Sequence, residues 1–225
     1  APRALWGINI PYVIEGLVYF GILTILGKFC SENIQLSDQQ ASWVYSGVTA
    51  GITLAMLFLG GVGDRIGIRR ALILALGLMV VGRVFLAGSS MVGLFTPEQG
   101  AGSAMHIVVA LGLFLVVIGY GMYQPAAYAG VRKFTNPKTA AMGYAMLYAL
   151  MNLGGWLPSF FTFVRERVGI TGAFWVYTSI TAVALLVTWV ILSRRTEEDA
   201  IARAERELKE IEAAEGTAKS EAEKD

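Results

Sequence analysis

Four stretches of this chain, residues 39–63, 99–131, 139–164 and 168–193, contain no Asp, Glu, Lys or Arg. Two more, residues 4–27 and 71–97, hold a single charge each, Glu15 and Arg83. Crossing a hydrocarbon core of about 30 Å takes about 20 apolar residues at about 1.5 Å of rise each. Six segments meet that length, which predicts six transmembrane helices near residues 8–29, 43–60, 70–88, 107–128, 140–163 and 173–192. The fold class is therefore an all-α membrane protein. A membrane barrel would need alternating polar and apolar residues, which these runs lack. The first run is too long for the apolar region of a signal peptide, and no small-residue cleavage site follows it.

Composition agrees, with 55% hydrophobic and 16% charged residues against about a quarter charged in soluble domains. A net charge of +1 argues against a nucleic-acid partner. Residues 1–193 form the apolar body. Residues 194–225 carry 7 basic and 11 acidic groups and read as a helical cytoplasmic tail or linker. In that tail, Asp199 with Arg203 and Glu205 with Lys209 are favourable i,i+4 pairs, and Ile201, Leu208 and Ile211 give a thin apolar stripe. Cys30 and His106 each occur once, so neither a disulfide nor a Cys/His metal cluster is expected. The sequence holds no Ser/His/Asp set, no paired carboxylates and no nucleotide loop. The expectation is a chain with no enzymatic activity, no metal and no cofactor, whose surroundings are membrane lipids.

Lys and Arg set the orientation. With a cytoplasmic N-terminus, the inner segments collect Arg3, Arg65, Arg69, Arg70, Arg132, Lys133, Lys138, Arg194 and Arg195, and the outer loops only Lys28, Arg165 and Arg167. Nine against three places both termini in the cytoplasm, with a multi-pass protein of the cell membrane as the expectation.

An unpaired charge near a helix centre costs about 2.5–3.5 kcal/mol in hydrocarbon on insertion scales. Arg83, thirteen residues beyond Arg70, is expected to snorkel to the outer interface. Glu15 is too short for that. It shares a helix face with Tyr12 and Tyr19, which points to a water-filled cavity or a proton-binding site, the alternative being an interhelical hydrogen bond. Repeated glycines favour close helix packing in lipid. Pro125 and Pro158 are expected to kink the fourth and fifth helices.

Between the second and third segments stands Gly60-Gly61-Val62-Gly63-Asp64-Arg65-Ile66-Gly67-Ile68-Arg69-Arg70. The glycines permit a tight turn, Asp64 suits a helix N-terminus, and the arginines suit the anionic leaflet. This run resembles the Gly-x-x-x-Asp-Arg-x-Gly-Arg-Arg signature of the major facilitator superfamily, which stands at the same place. The resemblance implies a bundle of two three-helix repeats. It also implies that Gly60, Asp64, Arg65, Gly67, Arg69 and Arg70 form a cytoplasmic gate, with Asp64 meeting a helix of an opposite bundle.

Three further segments resemble the proton-dependent oligopeptide transporters. Pro11-Tyr12-Val13-Ile14-Glu15-Gly16-Leu17-Val18-Tyr19-Phe20-Gly21 is similar to their first-helix Glu-x-x-Glu-Arg-Phe-x-Tyr-Tyr-Gly. Gly119-Tyr120-Gly121-Met122-Tyr123-Gln124-Pro125 is similar to their fourth-helix Gly-x-Gly-x-x-Lys-Pro, and Tyr148-Ala149-Leu150-Met151-Asn152-Leu153-Gly154-Gly155 to their fifth-helix Phe-Tyr-x-x-Ile-Asn-x-Gly-Ser. The family's first Glu falls on Tyr12, its Arg on Gly16 and its Lys on Gln124, so of that charged set Glu15 alone remains. The resemblance implies Glu15 as the proton-coupling group and Tyr12, Tyr19, Tyr123, Gln124 and Asn152 as walls of a polar cavity for a small solute. It further implies that the chain is an N-terminal half, completed by a second six-helix half. The other reading is a non-transporting subunit packed within a larger membrane complex.

Overall fold

The computed structural model describes residues 3–89, 91 and 103–222. Residues 92–102, at the ends of the third and fourth apolar runs, and 223–225 of the tail lie outside the described residues. The long elements are α1 (Arg3–Lys28, extended by a π-helical turn Phe29–Asn33), α2 (Asp38–Leu59), α4 (Ile68–Ser89), α5 (Ala104–Phe134), α6 (Pro137–Trp156), α7 (Thr162–Ile191) and α8 (Arg194–Ala222), with a short α3 (Val62–Ile66) in the loop before α4. Local chemistry sets the starts. Ser37 with Gln40 and Asn136 with Thr139 form reciprocal capping boxes, and Ser103 caps α5 by accepting from the amide of His106.

By length and composition, five stretches among the described residues could cross a membrane, the last running from Pro137 to Ile191. That last stretch folds back on itself. Asn9 meets Met146 and Gly16 meets Gly154, so α6 runs parallel to α1. Gly21 meets Tyr177 and Gly7 meets Leu192, so α7 runs antiparallel to α1. The reversal is made by the 3₁₀ turn Leu157–Phe161 and by Gly169, whose φ of 71° breaks the helical path. Pro158 therefore sits in the turn that ends α6, where its missing N–H costs no helical bond, and does not kink the helix. The loop expected near residues 164–172 is mostly helical, Gly169 aside. Pro125 does lie inside α5, which continues through it.

Other packing pairs complete the directions. Gly82 against Gly112 and Met79 against Gly119 make α4 and α5 antiparallel, whereas Val117 against Gly51 and Ala55 against Gly121 make α2 and α5 parallel. α1 and α5 cross antiparallel, meeting where Ile8 reaches Gly130, Tyr12 stacks on Tyr123 and Glu15 meets Tyr120. α4 and α7 close one side of them, while α2 leans chiefly on α5 and α6 chiefly on α1. The last pair comes very close: a Cβ on Gly154 would stand 2.8 Å from the Cα of Gly16, a separation that only glycine permits. His106 is a structural residue. Its Nδ1 lies 2.8 Å from Ser103 Oγ and its Nε2 2.8 Å from the Ile34 carbonyl, tying the start of α5 to the α1–α2 connection.

The tail is a helix packed across one end of the bundle, with Ala200 and Ala204 buried beneath it. Arg203 pairs with Glu207 at 2.7 Å instead of with Asp199. Glu207 also accepts from Asn136 Nδ2 at 2.7 Å, and these two donors hold its carboxyl below the usual range.

Candidate functional site

Arg83 does not snorkel. It is fully buried, with an exposure of 0%, and so is Glu15 at 1%. Its Nη1 donates to Glu15 Oε1 at 3.0 Å and its Nη2 to Oε2 at 2.9 Å, a two-pronged pairing of guanidinium and carboxylate. Tyr120 OH donates to Glu15 Oε2 at 3.0 Å and accepts from Arg83 Nη2 at 2.6 Å. Thr181 Oγ1 accepts from Nη1 on the remaining side. One side chain each from α1, α4, α5 and α7 thus meets at a single point, and among the described residues this is the one buried ion pair. Arg83 Nε has no partner.

The reason Arg83 turns inward lies in depth. Glu15 stands twelve residues into α1 and Arg83 fifteen into α4, so both lie about 20 Å from the same end of two helices that run in the same direction. Opposite charges at matched depth neutralise each other, and with Tyr120 and Thr181 they give the guanidinium partners inside the bundle that the apolar surroundings lack. The expectation of a lone carboxylate is corrected with it. Its partner cation comes from α4.

The expected cavity residues divide into two groups. Tyr12 and Tyr123 are buried and stacked on each other, ring centroids 6.0 Å apart, with Tyr128 edge-on to Tyr12 at 6.4 Å. Tyr19 is half-buried and meets the Tyr120 ring edge-on at 5.0 Å. Gln124 is half-buried on α5, and Asn152 is exposed on α6, its amide donating back to the Tyr148 carbonyl at 2.8 Å. Tyr148 itself is 69% exposed. Tyr19, Gln124 and Asn152 thus reach the surface, whereas Tyr12 and Tyr123 belong to the core.

The loop expected to form a gate has contacts inside this chain. Asp64 lies in the first turn of α3 and pairs with Lys133 at 3.0 Å and Arg132 at 3.6 Å, both at the end of α5 in the same bundle. The hydrogen bond and the charge of Lys133 hold its carboxyl below the usual carboxylate range. Asp64 therefore has partners within this chain. Arg65 and Arg70 are exposed, whereas Arg69 donates from Nε to the Leu192 carbonyl at 2.6 Å.

Sequence reasoning missed Tyr120, Thr181, Lys133 and Glu197 as partners. Tyr120 carried a signal, since it lies four residues before Gln124 inside the Gly-Tyr-Gly run.

The Major Facilitator Superfamily model matches residues 10–221. The chain belongs to that superfamily. Solved structures with the fold of this superfamily member include a bacterial homologue of the human drug peptide transporters PepT1 and PepT2, at a TM-score of 0.72 and 20% identity over 87% of this chain and 43% of that one. A variant of the peptide transporter POT in complex with alafosfalin gives 0.74 at 17% identity, over 98% and 46%. Tetrameric PepTSo2 gives 0.67 at 19%, over 90% and 42%. The chain thus spans less than half the length of these transporters, and at such identities the likeness shows the fold. No curated protein matches the chain significantly by sequence.

Proposed function

We propose that this chain is the N-terminal half of a secondary transporter, crossing the cell membrane six times with both termini in the cytoplasm. It would move a small, polar, peptide-like solute by alternating access. The observation that carries the reading is the exposed amide of Asn152 beside the exposed Tyr148 on the otherwise apolar helix α6. The Tyr148 carbonyl meets one of the Asn152 N–H groups, but a side-chain amide left facing outward still suits a water-filled pathway or an opposing bundle better than lipid. Half-buried Gln124 and Tyr19 lie on α5 and α1, next to the flanking helices α2 and α6. The superfamily position of a solute site, between two bundles near the midplane, fits that placement.

Other observations support six crossings. The 55 residues from Pro137 to Ile191 amount to about 80 Å of helix, over twice a hydrocarbon core, and they reverse direction on the way. The excess of Lys and Arg in the inner segments supports the orientation. The similar solved structures are peptide transporters, which supports the solute class.

Glu15 is the proton-coupling group in this reading, and Arg83 is its counter-ion. A proton on Glu15 cancels the carboxylate charge that Arg83 is paired with. The guanidinium is then free to turn to an anionic group of the solute, while Tyr120 keeps its bond to whichever partner remains. The test is uptake of labelled di- and tripeptides into liposomes holding this chain together with its C-terminal half, with an inward proton gradient. Wild-type protein should accumulate peptide, and Glu15→Gln should abolish the gradient's effect. Uptake no greater than in empty liposomes refutes the transporter reading and leaves the subunit reading in its place.

A further inference from the structure

The junction between α7 and α8 grips the start of α4. Glu197 Oε1 accepts from the backbone N–H of Ile68 at 3.0 Å and of Arg69 at 3.2 Å, the first two residues of α4. Those amides begin a helix and so have no carbonyl partner inside it. In return Arg69 Nε donates to the carbonyl of Leu192, the C-cap residue of α7. Gly67, at a φ of 91°, makes the turn that precedes these two amides.

Glu197 is the fourth residue of α8, and its reach depends on that helix being formed and docked. Ser193 Oγ starts the helix by accepting from the Thr196 amide at 3.1 Å. Beyond Glu197 the same face carries buried Ala200 and Ala204 and then Glu207, which holds the N-cap of α6 through Asn136. One face of α8 thus runs from the start of α4 to the start of α6, with small residues between the two carboxylate anchors.

We infer that Glu197 is a positioning residue for loop 60–70, and that α8 is a strap. While α8 is docked, a carboxylate closes the positive end of α4 and fixes the Gly67 turn. When α8 lifts, both amides lose their acceptor and the loop is free to rearrange. Linker docking and loop geometry are therefore one two-state element, through which the connection between the bundles acts on the inner gate. The gate consequence rests on the transporter reading above, but the positioning itself does not.

The test is hydrogen–deuterium exchange on the full 225-residue chain in lipid nanodiscs. Glu197→Ala should speed exchange of the amides at 67–70 by roughly three- to thirtyfold, the range expected for loss of a cap, and should speed 194–204 as well. Glu197→Gln keeps an oxygen acceptor and should restore most of the protection. Glu207→Ala should loosen 204–212 while leaving 67–70 at the wild-type rate. Unchanged exchange at 67–70 in Glu197→Ala, with Cys30 still unreactive, overturns the inference, and so does an equal effect from Glu207→Ala. If the exchange pattern appears while no version transports peptide, the strap stands and the transporter reading falls.

Discussion

Replacing Arg83 by methionine keeps the volume of the side chain and removes its charge. At 2.9 Å and an effective dielectric constant of 20, the attraction between guanidinium and carboxylate is about 6 kcal/mol. Desolvating both ions offsets most of that, so the intact pair adds little net stability. Breaking it is another matter, because Glu15 is then left buried and uncompensated. Loss of one partner of a buried pair costs about 3–5 kcal/mol. Arg83→Met should therefore destabilise the bundle by about that much. Glu15→Gln with Arg83→Met removes both charges and should recover most of the loss, although Tyr120 and Thr181 each lose one partner. The assay is equilibrium unfolding by SDS in mixed micelles, run as a double-mutant cycle. A coupling of 2 kcal/mol or more is expected from the figures above. Arg83→Met within about 0.5 kcal/mol of wild type, or a cycle that is simply additive, would refute the reasoning.

Three further outcomes follow from other contacts. Gly154→Val should cost about 1–3 kcal/mol by driving α6 off α1 at the Gly16 contact, and unfolding curves that overlay wild type contradict the packing. In a Cys30→Ala background, Gln124→Cys and Asn152→Cys should react with a water-soluble thiol reagent while Leu147→Cys, fully buried, stays protected; protection of the first two under all conditions removes them from any pathway. Asp64→Asn should flatten the acid limb of the stability profile. The Lys133 contact lowers the folded carboxyl, so its contribution is present at neutral pH and fades as pH falls from the ordinary carboxylate value towards the folded one. Identical acid limbs for wild type and variant speak against the pairing.

The sequence by itself determined that this chain is helical and built for a membrane, and where most of its helices lie. Hydrocarbon imposes a length and a ban on charge that any reader can count, and the glycine-rich loop at 60–70 and the capping residues Ser37, Ser103 and Asn136 act within a few neighbours of themselves. What depended on partners distant in the chain was decided by the tertiary structure. Glu15 and Arg83 are 68 residues apart and become neighbours only because α1 and α4 run the same way with the two charges at one depth. Tyr12 and Tyr123 went into the core as a stacked pair while Gln124 and Asn152 stayed at the surface, a choice fixed by how α5 and α6 rotate against α1. Glu197 reaches across 128 residues to α4, and no local pattern announces it. The physical reason is one of range. Rise per residue, capping and the cost of a charge in lipid are properties of short segments, whereas the partner of a buried ion or an open amide is set by which helices touch and at what height.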